Sequence, residues 1–451
     1  MSTEKKDKEK KEVPVTMKGM RDIIGDEYHK YQGFTEKASE IALYYGFQPI
    51  ETPTLEREEV FISTNSEDTD IIGKEMYSLR TKGGDHLALR PEGTAPVMRA
   101  YIEHGMQSLP QPVKLYYSGS FYRHENPQRG RYREFKSFGL EVLGTSRSVA
   151  DAMVIHMVVT MLREVGLDSS IVVEVNSIGD KECRPAYVRE LTAYYRKHVN
   201  ALCATCKIRI KTNPMRLLDC KTPQCKELKE KAPDSISALC NDCTAHFKEV
   251  LEYLDHLDIP YRINNNLVRG LDYYTRTVFE VIEEDGITAE EEAGGAPKKQ
   301  TPQVTPLTIA SGGRYDYLAR RLGSKKDVTG VGAGIGIDRV LLSPNFKAIN
   351  PRIVKKPKIY FIQLGYEAKM RSLEIIEALR EAKIPVTHSL NKDSLATQLA
   401  IAERLKTPFA LILGQKEAMD GTVIVRNMQN RSQDTIPIAT LSEYLKKIKW
   451  S

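Results

Sequence analysis

The stretch Leu115 to Gly144, LYYSGSFYRHENPQRGRYREFKSFGLEVLG, restricts the fold more than any other part of the chain, because of how it alternates. Successive side chains of a strand point to opposite faces. Arg131, Arg133, Phe135, Ser137, Gly139 and Glu141 therefore share one face, and Tyr132, Glu134, Lys136, Phe138, Leu140 and Val142 the other. The second face ends apolar and suits a core. The first carries guanidiniums, an aromatic ring and a carboxylate, and an antiparallel partner strand adds Gly119, Phe121, Arg123 and Glu125 to it. The turn formers Asn126-Pro127-Gln128-Arg129-Gly130 belong in a hairpin loop. A solvated hairpin with charged edges accounts for the charges alone. A nucleotide-phosphate site accounts for the ring as well, since an arginine fork fits phosphate oxygens and a phenyl face suits a base.

The 451 residues, 41% hydrophobic and 28% charged, are enough for about two to four domains with a large core. A net charge of +6 permits a polyanionic partner without requiring one. The opening MSTEKKDKEKKEVP mixes lysine with acid and resembles neither a secretory signal nor a transit peptide. Residues 1–16 are expected to be a disordered charged tail. No apolar run is long enough to cross a membrane, so the expected location is cytoplasmic, with a mitochondrial pool left open.

Residues 17–180 and 258–350 read as one discontinuous domain. It begins with a helix over Glu27 to Tyr45, capped by Gly46, and a strand at Phe47 to Thr52. Two short strands flank Lys82-Gly83-Gly84-Asp85, and Glu92-Gly93-Thr94 follows in a tight turn where a carboxylate can hold an ammonium group. Thr94 also suits a simple helix cap. A helix spans Ala150 to Val165 and a strand Ile171 to Asn176. Residues 181–257 change character, being helical, charged and home to all seven cysteines, as an inserted helical domain would be. The polar segment Glu283 to Pro306 is expected to be a mobile loop. Gly330-Val331-Gly332-Ala333-Gly334-Ile335-Gly336 leaves one strand face bare, for a flat ligand or for close packing of a neighbour. It does not fit the G-x-G-x-x-G fingerprint, because Ile337 stands at the third glycine, and the chain has no P-loop. ATP would then sit on an antiparallel platform, held by arginines and backbone. Residues 355–451 alternate strands and helices as a compact α/β domain suited to binding.

Cys203-x-x-Cys206 and Cys240-x-x-Cys243 have zinc-ligand spacing, with Cys183, Cys220 and Cys225 besides. A structural Zn²⁺ held by Cys203, Cys206, Cys240 and Cys243 and a set of reduced, inert thiols both fit this spacing. A reducing compartment disfavours disulfides.

Taken together, these motifs resemble those of the histidyl-tRNA synthetases, a family of class II aminoacyl-tRNA synthetases. FYRHENPQRGRYREF resembles motif 2, LVRGLDYY and SGGRYDYL the two histidine motifs, and GVGAGIGIDR motif 3. The resemblance implies an α+β fold: a catalytic domain on a six-stranded antiparallel sheet flanked by helices, an inserted helical domain, and a C-terminal α/β anticodon-binding domain. It also implies a homodimer. The implied reaction joins L-histidine to its tRNA through histidyl-adenylate, consuming ATP with Mg²⁺ and releasing pyrophosphate and then AMP. By similarity, Arg123 and Arg269 are catalytic and flank the α-phosphate. Glu125 reads the adenine amino group, Phe135 stacks on the ring, and Arg131 and Arg339 hold the β- and γ-phosphates. Glu92, Gly93 and Thr94 hold the histidine ammonium, and Glu141, Tyr273 and Tyr274 read the imidazole. Ser137 stands where the family commonly has glutamine. Asn126 stands where some members have arginine in the loop that meets tRNA, and Gln128 is retained there.

Two other readings are a catalytically silent paralogue and a synthetase for a different amino acid. Silent paralogues lose these arginines and the anticodon domain, whereas this chain keeps Arg123, Arg131, Arg269, Arg339 and about a hundred residues beyond motif 3. A different amino acid would call for a pocket other than Glu141 with Tyr273 and Tyr274.

Overall fold

The structure is a computed structural model that describes residues 13–64, 71–288, 304–352, 357–389 and 394–448. Most of the expected charged tail, residues 1–12, lies outside the described residues. The chain divides after Pro351 into two compact units.

The strands of the first unit are β1 (Gln48–Pro49), β2 (Leu55–Arg57), β3 (Tyr77–Arg80), β4 (His86–Leu89), β5 (Val113–Tyr122), β6 (Glu134–Leu143), β7 (Ile171–Ser177), β8 (Tyr261–Ile263), β9 (Thr275–Thr288), β10 (Val304–Arg314) and β11 (Gly330–Gly336). Eight form the main sheet in the order β1-β5-β6-β11-β10-β9-β7-β8, and β2-β4-β3 form a small one. The six strands from β5 to β7 pair antiparallel throughout. Short β1 and β8 add in parallel at the two edges, so the expected six-stranded sheet is the centre of a mixed one. The expected strand 47–52 shrinks to Gln48–Pro49: the Phe47 N–H turns back to the Ala42 carbonyl at 3.0 Å, Pro49 has no N–H to give, and the ladder ends with the Ile50 N–H on the Tyr116 carbonyl at 2.9 Å.

Alternation divides the sheet's two faces. Phe138, Leu140 and Val142 of β6 join Phe279 and Val281 of β9 in a core closed by the helix Ser148–Glu164. Tyr117 and Phe121 of β5 face the other way, with Tyr273, Tyr274 and Tyr315. The helical region carries Arg184–Lys197, Ala204–Thr212, Pro223–Glu230 and Asn241–His256. Its last helix packs Phe247, Val250 and Leu254 into the first core, and His246 there meets Asp151 at 3.3 Å.

The segment Glu283 to Pro306 is not a loop at its described ends. β9 continues to Thr288 and pairs with Val304 and Thr305 of β10, while 289–303 lie outside the described residues. Polarity misleads here, because Glu283 is buried and its carboxylate accepts hydrogen bonds from Ser170, Ser343 and Asn345.

The second unit has strands β12 (Ile359–Gln363), β13 (Val386–His388), β14 (Phe409–Leu413), β15 (Thr422–Asn427) and β16 (Gln433–Pro437), in the order β13-β12-β14-β15-β16. Ile359 and Phe361 pack on one face of this sheet and Tyr360 and Ile362 on the other, so both faces are covered. Among the described residues, no helix is long and apolar enough to cross a membrane.

Candidate active site

β5 and β6 pair with Phe121 opposite Phe135 and Gly119 opposite Ser137, which puts small and aromatic side chains over one stretch of sheet. The cleft above it is lined by Arg123, Glu125, Arg131, Phe135, Ser137 and Arg339, among others. Arg123 lies over the Phe135 ring at 5.2 Å and donates from Nε to the Pro91 carbonyl at 2.9 Å. Arg339 leaves the start of the helix Ile337–Leu342 and donates to the carbonyls of Gly130, at 3.1 Å, and Thr308, at 2.7 Å. Burial, aided by the neighbouring charges of Arg131 and Arg123, pushes its pKa down to about 10. Three guanidiniums therefore feel one another's field in one cleft, which favours an anion between them. Arg131 is half-buried, its Nη1 4.0 Å from Glu125.

Arg133 does not join them. β6 begins only at Glu134, so the strand alternation expected for residues 131–133 gives way to loop geometry. Arg133 donates instead to the Glu125 and Lys18 carbonyls, tying the entering chain to the hairpin.

A second, smaller pocket adjoins the cleft and shares Arg123, Phe135, Ser137 and Ser311 with it. Glu92, Gly93, Thr94, Arg269, Tyr273 and Tyr274 also line it. Glu92 accepts the backbone N–H groups of Thr94 at 2.6 Å and Ala95 at 2.9 Å, at the start of the helix Thr94–Glu103, and the Tyr273 hydroxyl at 3.1 Å. Burial nonetheless raises its pKa. Arg269 sits over the Tyr274 ring at 5.7 Å, pairs with Glu280 through Nη1 and donates from Nη2 to Ser311 Oγ at 2.6 Å. Burial alone would lower its pKa, but Glu280 reverses the sign.

Glu141 lies beneath the floor of this pocket and is fully buried. Its carboxylate accepts the hydroxyls of Thr94 at 2.8 Å, Tyr117 at 3.2 Å and Tyr315. Burial pushes its pKa up to about 8 in spite of these donors. Tyr273 therefore belongs to Glu92, and the phenols beside Glu141 are Tyr117 and Tyr315. Neither was singled out from the sequence. Tyr117 shows once the register is known, since it lies opposite Gly139 on the same face as Phe121; Tyr315 is the first of the two tyrosines of SGGRYDYL.

The glycines of β11 serve both readings of their spacing. A Cβ on Gly330 would stand 2.4 Å from the Tyr315 ring, and one on Gly332 1.8 Å from Glu141 Oε2, so these two admit close neighbours. Gly334 and Gly336 instead line the pocket and the cleft. Ser137 donates to the Ile335 carbonyl at 3.1 Å, filling its corner with less reach than a longer amide would have. The arginine of SGGRYDYL is structural: Arg314 is fully buried, paired with Asp151 and with Asp316 at 3.1 Å.

Asn126 and Gln128 are exposed on the hairpin loop and line neither pocket. The two C-x-x-C pairs do not meet, which overturns the ligand set Cys203, Cys206, Cys240 and Cys243. Cys203 and Cys206 gather with Cys220 and Cys225, whereas Cys240 and Cys243 gather with Cys183 and Asp180. The helices Ala204–Thr212 and Asn241–His256 start in different parts of the insert, and sequence spacing carries no information about that distance.

A family model described as Histidyl-tRNA synthetase matches residues 19–339, and one described as Anticodon binding domain matches residues 358–448. Histidine–tRNA ligase of Dehalococcoides mccartyi is 40% identical over 430 residues, 95% of this chain and 98% of that protein. The ligase of Desulforamulus reducens is 37% identical over 429 residues, with 95% and 98% covered. The crystal structure of apo S. aureus histidyl-tRNA synthetase superposes with a TM-score of 0.76 at 30% identity, covering 96% of this chain and 100% of that one.

Proposed function

This chain belongs to the histidyl-tRNA synthetase family, and from that membership we propose how its two adjoining pockets divide the work. The family's reaction is the ATP-dependent ligation of L-histidine to its tRNA through histidyl-adenylate. ATP occupies the cleft and histidine the smaller pocket, with Arg123 at the boundary they share. The observation that carries this reading is that boundary: one guanidinium borders both pockets, where the histidine carboxylate must meet the α-phosphate.

In the first step the carboxylate oxygen attacks the α-phosphorus in line, and negative charge builds on the phosphoryl oxygens. Arg123 and Arg269 meet that charge as fixed donors that need no reorganisation. Phe135 carries the adenine and Glu125 accepts from its amino group. Arg131 and Arg339 hold the β- and γ-phosphates until pyrophosphate leaves. Glu92 and Thr94 bind the histidine ammonium; Glu92 Oε1 accepts only one backbone N–H and keeps a lone pair for it. Tyr273 and Tyr274 line the pocket and read the imidazole, a ring with two nitrogens to satisfy, while Glu141 acts from beneath the floor through the hydroxyls of Thr94 and Tyr117.

Mg²⁺ takes oxygen ligands. Glu280 gives one oxygen to Arg269 and the other to Thr308 at 3.2 Å, and it is the carboxylate that would hold the ion. When bound, it neutralises phosphate charge.

The second unit grips the anticodon arm, Asn126 and Gln128 meet the acceptor end of the tRNA, two chains pair as a homodimer, and the enzyme works in the cytoplasm. Arg269→His tests the division of labour. ATP–pyrophosphate exchange should lose kcat by a factor on the order of 10² to 10³ while histidine binding changes far less. Equal losses in both would remove Arg269 from the transition state.

A further inference from the structure

We propose that Cys203, Cys206, Cys220 and Cys225 ligate a structural zinc ion that clamps the intervening segment against the loop of Arg269. Their four sulfurs lie within 4.8 Å of one another, and Sγ of Cys203 and Cys220 are 3.9 Å apart. Thiolates at about 2.3 Å from a tetrahedral zinc stand about 3.8 Å from each other, so closing the site takes only small movements. All four are free thiols. The spacing, two residues between the first pair and four between the second, lies in the range that chelates one ion.

The local fold prepares these ligands. Cys203 stands at the N-cap position of the helix Ala204–Thr212, and Cys206 lies in its first turn. The Cys203 N–H donates to Cys225 Sγ at 3.4 Å, the kind of bond that orients a metal's sulfur ligand. Cys206, Cys220 and Cys225 are buried among Tyr195, Leu202, Ile210 and Leu217. Four soft sulfurs in a tetrahedral set select zinc over hard cations. Zinc with four thiolates carries a charge of −2, and residues 203–231 offset it with eight Lys and Arg against three Asp and Glu. The other cluster differs, because its carboxylate, Asp180, is already paired with Arg276 at 3.1 Å.

The clamp has a mechanical consequence. Between the two cysteine pairs, Asn213 Nδ2 donates to Asp272 Oδ1 at 2.8 Å, and Arg216 Nη1 donates to the Arg269 carbonyl at 3.1 Å. Asn213 and Arg216 are thus positioning residues for the loop that carries Arg269. This part rests on the role proposed above for Arg269; the metal site does not.

Elemental analysis of the untagged full-length protein, purified reduced and without chelator, tests the site directly. Cys220→Ser should hold about one zinc per chain less than the wild type, and Cys243→Ser should hold as much as the wild type. Should Cys220→Ser fail to fold, titration of the native wild type with a mercurial and a zinc-binding dye replaces it: release of about one zinc should track the modification of about four thiols. A wild type without zinc after incubation with zinc chloride, or a loss confined to Cys243→Ser, overturns the site. Asn213→Ala should keep its zinc and lower kcat about tenfold to a hundredfold, with a smaller change in the histidine KM. Unchanged kcat would overturn the clamp and leave the metal result standing by itself.

Discussion

The smaller pocket and the adjoining cleft share a sheet and four residues, yet they are built by opposite means. In the pocket, Glu92 and Glu141 are buried, and their oxygens are met by backbone amides and by the hydroxyls of Thr94, Tyr117, Tyr273 and Tyr315. A buried polar network of this kind is stiff and selective, because any unsatisfied member costs about 1–3 kcal/mol. In the cleft, Arg123 and Arg339 spend donors on backbone carbonyls and face one another with surplus positive charge. On the reading proposed above, one site is shaped in advance for a small zwitterion, and the other gathers positive charge that an anion would relieve.

Arg123 belongs to both, so removing it is the severest challenge to the contrast. Arg123→Ala should lower kcat/KM by on the order of 10³ in pyrophosphate exchange and weaken the response to histidine and ATP alike. A defect confined to ATP would mean that the two compartments are separate after all. Glu141→Ala sharpens the contrast from the pocket side. It strands three hydroxyls and should raise the histidine KM about 10²-fold while the ATP KM stays near its starting value. An unchanged histidine KM would show that the network under the floor does not select the ligand.

β11 allows a subtler division. Gly332→Ala drives a methyl into Glu141 and should cost about 1–3 kcal/mol of stability, measured by denaturant unfolding. Gly334→Ala places its methyl 3.5 Å from Ser137 Oγ, an ordinary contact, so stability should hold while the histidine KM rises about tenfold. Similar unfolding midpoints for both variants would contradict the assignment of Gly332 to packing and Gly334 to the ligand.

The hairpin was readable because strand alternation is periodic, and periodic signals survive without three-dimensional knowledge. The same rule fails at Arg133, where the strand has not yet begun; polarity, a different rule, fails at Glu283, a charged residue buried in a polar cage that only the fold assembles. Tyr117 and Tyr315 are illegible for a related reason: one reaches Glu141 from β5 and the other from just past the end of β10, and that meeting depends on register. The cysteines show the limit most plainly. The spacing of each pair is local and was legible, but which pair joins which partners depends on helix packing.

pH probes the buried network most gently. Burial raises Glu141 from the ordinary carboxylate range to about 8, and Glu92 shifts in the same direction. A carboxyl whose folded pKa lies above its unfolded value binds its proton more tightly when folded. Its stabilising contribution is therefore complete below the unfolded pKa of about 4.3 and is lost as pH rises through the folded pKa. The melting temperature of the ligand-free protein should fall between pH 6 and pH 9 by about 2–4 °C, followed by differential scanning fluorimetry. Glu141→Gln, which cannot ionise, should flatten that slope. Saturating histidine should flatten it too, since an ammonium group beside Glu92 favours that carboxylate's ionised form. No comparable slope is expected from the cleft, whose arginines stay charged across this range. If Glu141→Gln melts with the wild-type slope, the proton resides elsewhere and the pocket is not the stiff, proton-holding half of the pair.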